Sequence, residues 1–143
     1  MIYPLVQKQI GRVMNRAKIL IVEDEREVAK SLEMRLKKMG FSVVGREDTA
    51  ETAIKKADEL RPDIVLMDIE LAGKMDGIQA ADHIRKKHHI PVIYLTALCD
   101  TKTLERVGAT APYGYILKPF KDDELRTAIE IALHIQANKP ASK

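Results

Sequence analysis

Short apolar runs alternate along this chain with stretches in which apolar residues recur every three or four positions. Runs bounded by turn residues or by a change of period predict strands, and the longer periodic stretches predict amphipathic helices. A strand that is apolar along its length is typical of a parallel sheet covered on both faces. The alternation therefore predicts an α/β fold with a doubly wound parallel sheet and helices on both faces. The five predicted strands are Lys18–Val22, Ser42–Gly45, Ile64–Met67, Val92–Leu95 and Gly114–Leu117.

The helices are predicted between these strands and after the last one. The first has an apolar stripe over residues 28–39 and ends at Gly40, which suits a left-handed cap. Asp48, followed three residues later by Glu51, predicts a capping box at the start of the second helix. The fourth helix, around residues 102–107, has the least regular pattern.

Composition narrows the class of protein. With 143 residues, 45% of them hydrophobic and 31% charged, the chain is long enough for one domain with its own core. Its single cysteine, Cys99, cannot form an internal disulfide, and no apolar run approaches the roughly 20 residues that span a bilayer. The sequence therefore predicts a cytoplasmic protein without a membrane segment.

The net charge of +3 is concentrated at the N-terminus, where residues 1–16 contain three basic residues and no acidic one. The neutral remainder gives no basic patch for direct nucleic-acid binding. We interpret residues 1–16 as an N-terminal arm, either disordered or a short helix. Residues 17–137 are predicted to form the domain, and residues 138–143 a disordered tail.

Chemically active side chains lie at the ends of four predicted strands. Glu23 and Asp24 follow the first strand, Asp68 the third, Thr96 the fourth and Lys118 the fifth. In a doubly wound sheet, ligands bind at the carboxyl ends of the strands where the strand order reverses. Converging carboxylates repel one another unless a cation or a lysine offsets their charge, and oxygen ligands suit Mg²⁺. The pattern predicts phosphate chemistry, with Asp68 as a candidate covalent phosphoryl acceptor.

These strand ends resemble the receiver domain of two-component response regulators, over roughly residues 18–137. The resemblance implies a flavodoxin-like fold with strand order 2-1-3-4-5. It also implies a cis peptide bond between Lys118 and Pro119. The motifs that carry the resemblance are ILIVEDE at 19–25, DIVLMD at 63–68, Thr96-Ala97 and KPF at 118–120.

The resemblance also implies roles for the acidic residues. Asp68 would take a phosphoryl group from a histidine kinase or a histidine phosphotransfer protein. Mg²⁺ would be held by Asp24, Asp68 and the main-chain carbonyl of Glu70, while Glu23 would act through the water shell of the metal. The chain would then be a phosphoacceptor with self-phosphorylation and autodephosphorylation chemistry, and not an enzyme with a separate substrate.

Three further residues belong to the response that the resemblance implies. Lys118 and Thr96 would contact the phosphoryl group, and Tyr115 would turn inward as Thr96 moves. The fourth helix, the fifth strand and the fifth helix would form the surface for a downstream protein partner. No output domain is expected within this chain, and a homodimer through the last helix is an open alternative.

Two segments depart from the commonest form of the family. The loop after Asp68 is one residue longer, and Ala72 stands where that form has proline. Residues 109–115 replace a more usual Gly-Ala-acidic sequence. We expect a reshaped loop beside the site with its chemistry retained. The two variants together are similar to receivers attached to sensor kinases.

Two other functions compete with this interpretation. A receiver-like interaction module that works without phosphorylation would have an incomplete acidic pocket. A flavodoxin-like hydrolase or nucleotide binder would need a glycine-rich phosphate loop, an Asp-x-Asp motif, or a Ser or Cys nucleophile with a histidine. Asp68 is followed by Ile and Glu, which does not fit the Asp-x-Asp motif.

Overall fold

A five-stranded parallel sheet forms the centre of the computed structural model, which describes residues 17–97, 100–109 and 114–138. The strand order is β2-β1-β3-β4-β5, so the predicted fold class and strand order are confirmed. The strands are β1 (Lys18–Val22), β2 (Ser42–Glu47), β3 (Ile64–Asp68), β4 (Val92–Thr96) and β5 (Gly114–Leu117). The helices are α1 (Arg26–Lys38), α2 (Ala50–Leu60), α3 (Gly77–His88), α4 (Thr101–Ala109) and α5 (Asp122–Ala137).

Two apolar clusters cover the two faces of the sheet. Successive residues of a strand point to opposite faces, so Ile19 and Ile21 enter one cluster while Leu20 and Val22 enter the other. The first cluster is closed by α1 and α5, and the second by α2, α3 and α4. This arrangement explains why the strands are apolar along most of their length.

Several strands extend beyond their predicted ends. β3 includes Asp68 and β4 includes Thr96, because Asp68 is paired with Leu95 and Thr96 with Leu117 in the parallel ladder. β2 continues to Glu47 beside β1. The sequence pattern marks a strand end at the first polar residue, whereas backbone pairing continues through it.

The predicted C-terminal end of α1 is confirmed, whereas the predicted N-terminal end of α2 is wrong. Gly40 has a φ of 95°, a left-handed conformation that glycine adopts without strain, so the predicted cap of α1 is confirmed. The capping box between Asp48 and Glu51 is wrong. The N-cap of α2 is Thr49, whose hydroxyl accepts a hydrogen bond from the Thr52 main-chain N at 3.1 Å. The helix begins one residue later than predicted, which leaves Asp48 outside it.

The weak sequence pattern of α4 has a structural reason. Within this helix only Thr103 and Val107 are buried, so its apolar stripe is narrow. Its first turn is held by Asp100, whose Oδ1 accepts a hydrogen bond from the Thr103 main-chain N at 2.8 Å. Capping therefore supports a helix that apolar periodicity indicates poorly.

Among the helices in the described ranges, none is both long and apolar enough to cross a membrane. The predicted arm, residues 1–16, lies outside the described residues. So do residues 139–143 of the predicted tail, and residues 110–113 of the second departure from the family.

Candidate functional site

An acidic pocket lies at the carboxyl edge of the sheet, where β1 and β3 are neighbours. Glu23 and Asp24 follow β1, and Asp68 ends β3. One carboxylate oxygen from each of the three lies within 4.8 Å of the others. Glu23 and Asp68 are each 3% exposed, whereas Asp24 is exposed to solvent. The pocket thus offers oxygen ligands from three side chains to a metal ion.

Lys118 brings a positive charge to this pocket from the carboxyl end of β5, at the same edge of the sheet. It directly follows β5, and its main-chain N donates to the Thr96 carbonyl at 2.9 Å. Its Nζ lies 2.6 Å from Glu23 Oε1 and 3.7 Å from Asp68 Oδ2. The peptide bond between Lys118 and Pro119 is cis, as the resemblance implies. The lysine is therefore bonded most closely to Glu23 and lies within reach of Asp68.

The charges of the pocket shift the pKa values of its members. Burial, together with the hydrogen bond and the charge of Glu23, raises the pKa of Asp68 to about 7. Burial also opposes ionisation of Glu23, but hydrogen bonds with Asp68 and Lys118 outweigh it and lower the pKa of Glu23. Burial likewise opposes the charged form of Lys118, and its contacts with Glu23 and Asp68 outweigh that and raise its pKa. One lysine does not neutralise three carboxylates, so the pocket suits a cation.

The loop after β3 closes the pocket with main-chain N–H groups. The Glu70 main-chain N donates to Asp68 Oδ1 at 3.0 Å, and the Ala72 main-chain N donates to Asp24 Oδ2 at 3.3 Å. Ile69, which precedes the first donor, and Leu71, which lies between the two donors, are buried in the second apolar cluster. Two residues of this loop are thus anchored in the apolar core, and the main-chain N–H groups of the other two face the carboxylates.

The predicted switch residues lie on the adjacent strands. Thr96 ends β4 and is fully buried, directly beside Leu117 in the ladder. Tyr115 on β5 is half-buried, pairs with Tyr94 and packs against the second apolar cluster. The structure therefore places Thr96 at the edge that carries the acidic pocket and Tyr115 two residues before Leu117. Their switching roles remain predictions.

The start of α3 is a part of the site that the sequence analysis missed. A Cβ built on Gly77 would overlap the main-chain carbonyl oxygen of Asp68. Before it, Asp76 forms a capping box with Gln79, with both hydrogen bonds at 3.0 Å. Asp76 Oδ2 also lies 2.7 Å from Arg106 Nη2 on α4. The Asp-x-x-Gln spacing in the sequence was the signal that could have located this helix start.

Arg35 on α1 holds the segment that follows Lys118. Its Nη2 donates to the Phe120 carbonyl at 2.9 Å, and its Nε donates to Asp122 Oδ1 at 2.6 Å. The guanidinium carbon lies 4.6 Å from the centre of the Phe120 ring, which is cation–π geometry. A single side chain thus fixes residues 120–122 against α1.

We expect Arg35→Ala to lower the free energy of unfolding by about 1 to 2 kcal/mol, because it removes two hydrogen bonds and a ring contact at a partly exposed site. Urea denaturation followed by circular dichroism measures the change. Arg35→Lys should recover part of it, since an ammonium group cannot reproduce the planar fork. Arg126→Ala, at an exposed position of α5, is the matched control. Equal stabilities of Arg35→Ala and the wild type would contradict this role.

The chain is similar to known bacterial regulators. The sequence-family model of the response regulator receiver domain matches residues 19–130. The transcriptional regulatory protein PdtaR of Mycobacterium tuberculosis is 34% identical over 116 residues, which are 81% of this chain and 56% of that protein. The DNA-binding response regulator MtrA of Mycobacterium leprae is 36% identical over 128 residues, which are 88% of this chain and 55% of that protein. The chain spans about half the length of these curated relatives.

Solved structures of receiver domains are similar along nearly their whole length. The signal receiver domain of a modulated diguanylate cyclase from Desulfovibrio desulfuricans G20 is 38% identical with a TM-score of 0.82, covering 85% of this chain and 97% of that one. The N-terminal domain of a response regulator/sensory box/GGDEF 3-domain protein from Carboxydothermus hydrogenoformans is 38% identical with a TM-score of 0.77, covering 84% and 96%. The chain belongs to the response regulator receiver domain family.

Proposed function

We propose that this chain is the phosphoacceptor domain of a two-component or phosphorelay system, with Asp68 as the acceptor. The observation that carries the proposal is the buried Asp68 carboxylate at a strand end, beside Glu23 and 3.7 Å from the Lys118 ammonium. A carboxylate oxygen of Asp68 would attack the phosphorus of a phosphohistidine on a kinase or a phosphotransfer protein. The O–P bond forms as the P–N bond breaks, and the histidine nitrogen keeps the electron pair.

The donor set of the pocket suits Mg²⁺, which prefers oxygen ligands and accepts a phosphate oxygen beside one or two carboxylates. Asp24 and Asp68 would supply carboxylate oxygens, Glu70 its main-chain carbonyl, and Glu23 a contact through water. A bound Mg²⁺ would offset negative charge on the carboxylates and the phosphoryl oxygens. Lys118, which is bonded to Glu23 at 2.6 Å, would bond an oxygen of the phosphoryl group.

The completeness of the pocket favours phosphorylation over the alternative of an interaction module that works without it. Such a module has no need of three converging carboxylates, whose mutual repulsion costs stability. In this proposal the chain accelerates its own phosphorylation and dephosphorylation and has no separate substrate. We place it in the cytoplasm, where a kinase of this kind would present its phosphohistidine.

Intact mass after incubation with acetyl phosphate, with Mg²⁺ or with EDTA, tests the proposal. We expect one added phosphoryl group with Mg²⁺ and a rate at least about tenfold lower with EDTA, because the metal offsets charge at the reacting oxygens. Equal labelling under both conditions would contradict the role of the metal. No labelling under either condition would favour the interaction module.

The same proposal assigns a partner surface to α4, β5 and α5. Four large apolar side chains on the described residues of these elements are about half exposed: Leu104, Leu117, Ile131 and Ile135, at 47%, 46%, 51% and 48%. A groove of about 630 Å³ runs between β5 and α5 and is lined by Tyr115 and Ile131 among others. A downstream protein, or a second copy of the chain, would cover these groups on phosphorylation, with Thr96 and Tyr115 linking the surface to Asp68.

Amide chemical shifts before and after addition of beryllium fluoride and Mg²⁺ test this surface. We expect shifts along α4, β5 and α5 as well as around Asp68, with little change in α2, because the proposed rearrangement starts at Thr96 and reaches Tyr115. Shifts confined to the acidic pocket would refute the surface. Size-exclusion chromatography with light scattering on the same samples distinguishes a homodimer from a monomer that awaits another partner.

A further inference from the structure

The loop at residues 69–72 directs alternate main-chain N–H groups at two different carboxylates. Glu70 N–H is bonded to Asp68 at 3.0 Å, and Ala72 N–H is bonded to Asp24 at 3.3 Å. The alternation follows from burial, because Ile69 and Leu71 are 4% and 7% exposed and point into the second apolar cluster. The loop is therefore fixed on one side by the core, and its other side faces the pocket.

The second of these hydrogen bonds depends on the residue type at position 72. Ala72 supplies an N–H that a proline at this position would lack. We infer that the main-chain N–H of Ala72 is a positioning group that holds the Asp24 carboxylate for the divalent cation. This inference rests on the proposed function, in which Asp24 is a metal ligand.

The geometry favours positioning over competition with the metal. The N–H of Ala72 occupies one lone pair of Asp24 Oδ2, so Oδ1 and the other lone pair of Oδ2 stay available. Asp24 is the exposed member of the three carboxylates, and without a partner its side chain would sample several rotamers. A ligand that is already held in place binds a cation more tightly, because less conformational entropy is lost on binding.

Titration calorimetry with Mg²⁺ on Ala72→Pro tests the inference, with Ala72→Gly as the matched control that keeps the N–H. We expect Ala72→Pro to weaken Mg²⁺ binding by about three- to tenfold, which is the range for one hydrogen bond at an accessible site. Ala72→Gly should stay within about twofold of the wild type. Circular dichroism of each variant reports whether the fold is kept.

The outcomes separate this inference from the function on which it rests. A wild type that binds Mg²⁺ and an Ala72→Pro variant that binds it equally or more tightly would overturn the inference and leave the proposed function standing. A wild type that binds no Mg²⁺ would overturn both. A weakened Ala72→Gly, equal to Ala72→Pro, would show that backbone stiffness and not the N–H is responsible, which also overturns the inference.

A measurement on the native loop keeps the inference testable if Ala72→Pro fails to fold. In the wild type, the Ala72 amide proton should exchange with solvent more slowly than in Asp24→Ala, because its hydrogen-bond acceptor is then removed. The Glu70 amide, whose acceptor is Asp68, is the internal reference and should change little. Equal exchange of the Ala72 amide in the two proteins would overturn the inference.

Discussion

Asp68→Asn is expected to abolish labelling of the protein by acetyl phosphate in the presence of Mg²⁺. An amide oxygen cannot form the acyl phosphate that a carboxylate forms, and the other buried carboxylate beside Lys118, that of Glu23, is already bonded to the ammonium group at 2.6 Å. Intact mass spectrometry over the time course that labels the wild type measures the effect. We expect less than about one hundredth of the wild-type product, since a neighbouring carboxylate is a poor substitute for a positioned one.

The same variant should be folded and more stable than the wild type at pH 8 without metal. The pKa of Asp68 is raised from 3.8 to about 7, so the folded state binds more protons than the unfolded state between these values. Stability from this group is therefore present below about pH 4 and is lost as the pH rises through 7. Asparagine carries no charge, so Asp68→Asn should gain at least about 1 kcal/mol at pH 8. Urea denaturation at pH 8 in EDTA checks this.

Asp123→Asn is the matched control for the labelling experiment. Asp123 is an exposed aspartate in the first turn of α5, away from the acidic pocket. Labelling of this variant should equal that of the wild type. Persistent labelling of Asp68→Asn would move the acceptor to another residue and contradict the proposed function.

The sheet could be predicted from the sequence because each strand is recognised from residues that are consecutive in the chain. Four strands, β1, β3, β4 and β5, are short and mostly apolar runs, and the polar residue that ends each run lies at the edge where the site forms. Asp68 and Thr96 are that residue for β3 and β4, although each still belongs to its strand. The apolar pattern therefore located the acidic pocket even where it misjudged the last residue of the strand.

Local hydrogen bonds were harder to predict than burial. Asp48 and Glu51 have the spacing of a capping box, yet Thr49 caps α2. Asp48 and Thr49 are both residue types that cap helices, and the sequence does not decide which of the two precedes the first turn. Asp76 and Gln79 do form a capping box. It directly follows a glycine-containing loop, and the sequence analysis did not predict it. Where two neighbouring residues have a similar capping propensity, the path of the chain decides which of them caps the helix.

Contacts between distant segments could not be predicted where they lie away from the strand ends or depend on exact distances. Arg35 is 85 residues from Phe120, and Ala72 is 48 residues from Asp24. Nothing in the local pattern distinguishes Arg35 from other basic residues of the same helix. That Lys118 lies closer to Glu23 than to Asp68 is likewise set by the three-dimensional path of β1, β3 and β5.

Gly77→Ala is expected to impair both folding and phosphorylation, because α3 begins against the main-chain carbonyl of Asp68. A Cβ at this position would overlap that carbonyl oxygen and lie 3.0 Å from Ile69 Cα, and neither backbone can yield as a flexible side chain would. The strand end that carries the acceptor must then shift. We expect a loss of about 1 to 3 kcal/mol in the free energy of unfolding and about a 100-fold lower rate of labelling.

Gly108→Ala provides the matched control, because a Cβ at Gly108 in α4 would meet nothing within 4 Å. That variant should gain about 0.5 to 1 kcal/mol from the helix preference of alanine and keep the wild-type rate of labelling. Labelling is measured at a temperature where circular dichroism shows each variant to be folded, so that a lower rate reports displacement of Asp68. If folded Gly77→Ala is labelled at the wild-type rate, close packing of α3 is not what positions the acceptor, and the Glu70 hydrogen bond to Asp68 must suffice to hold it.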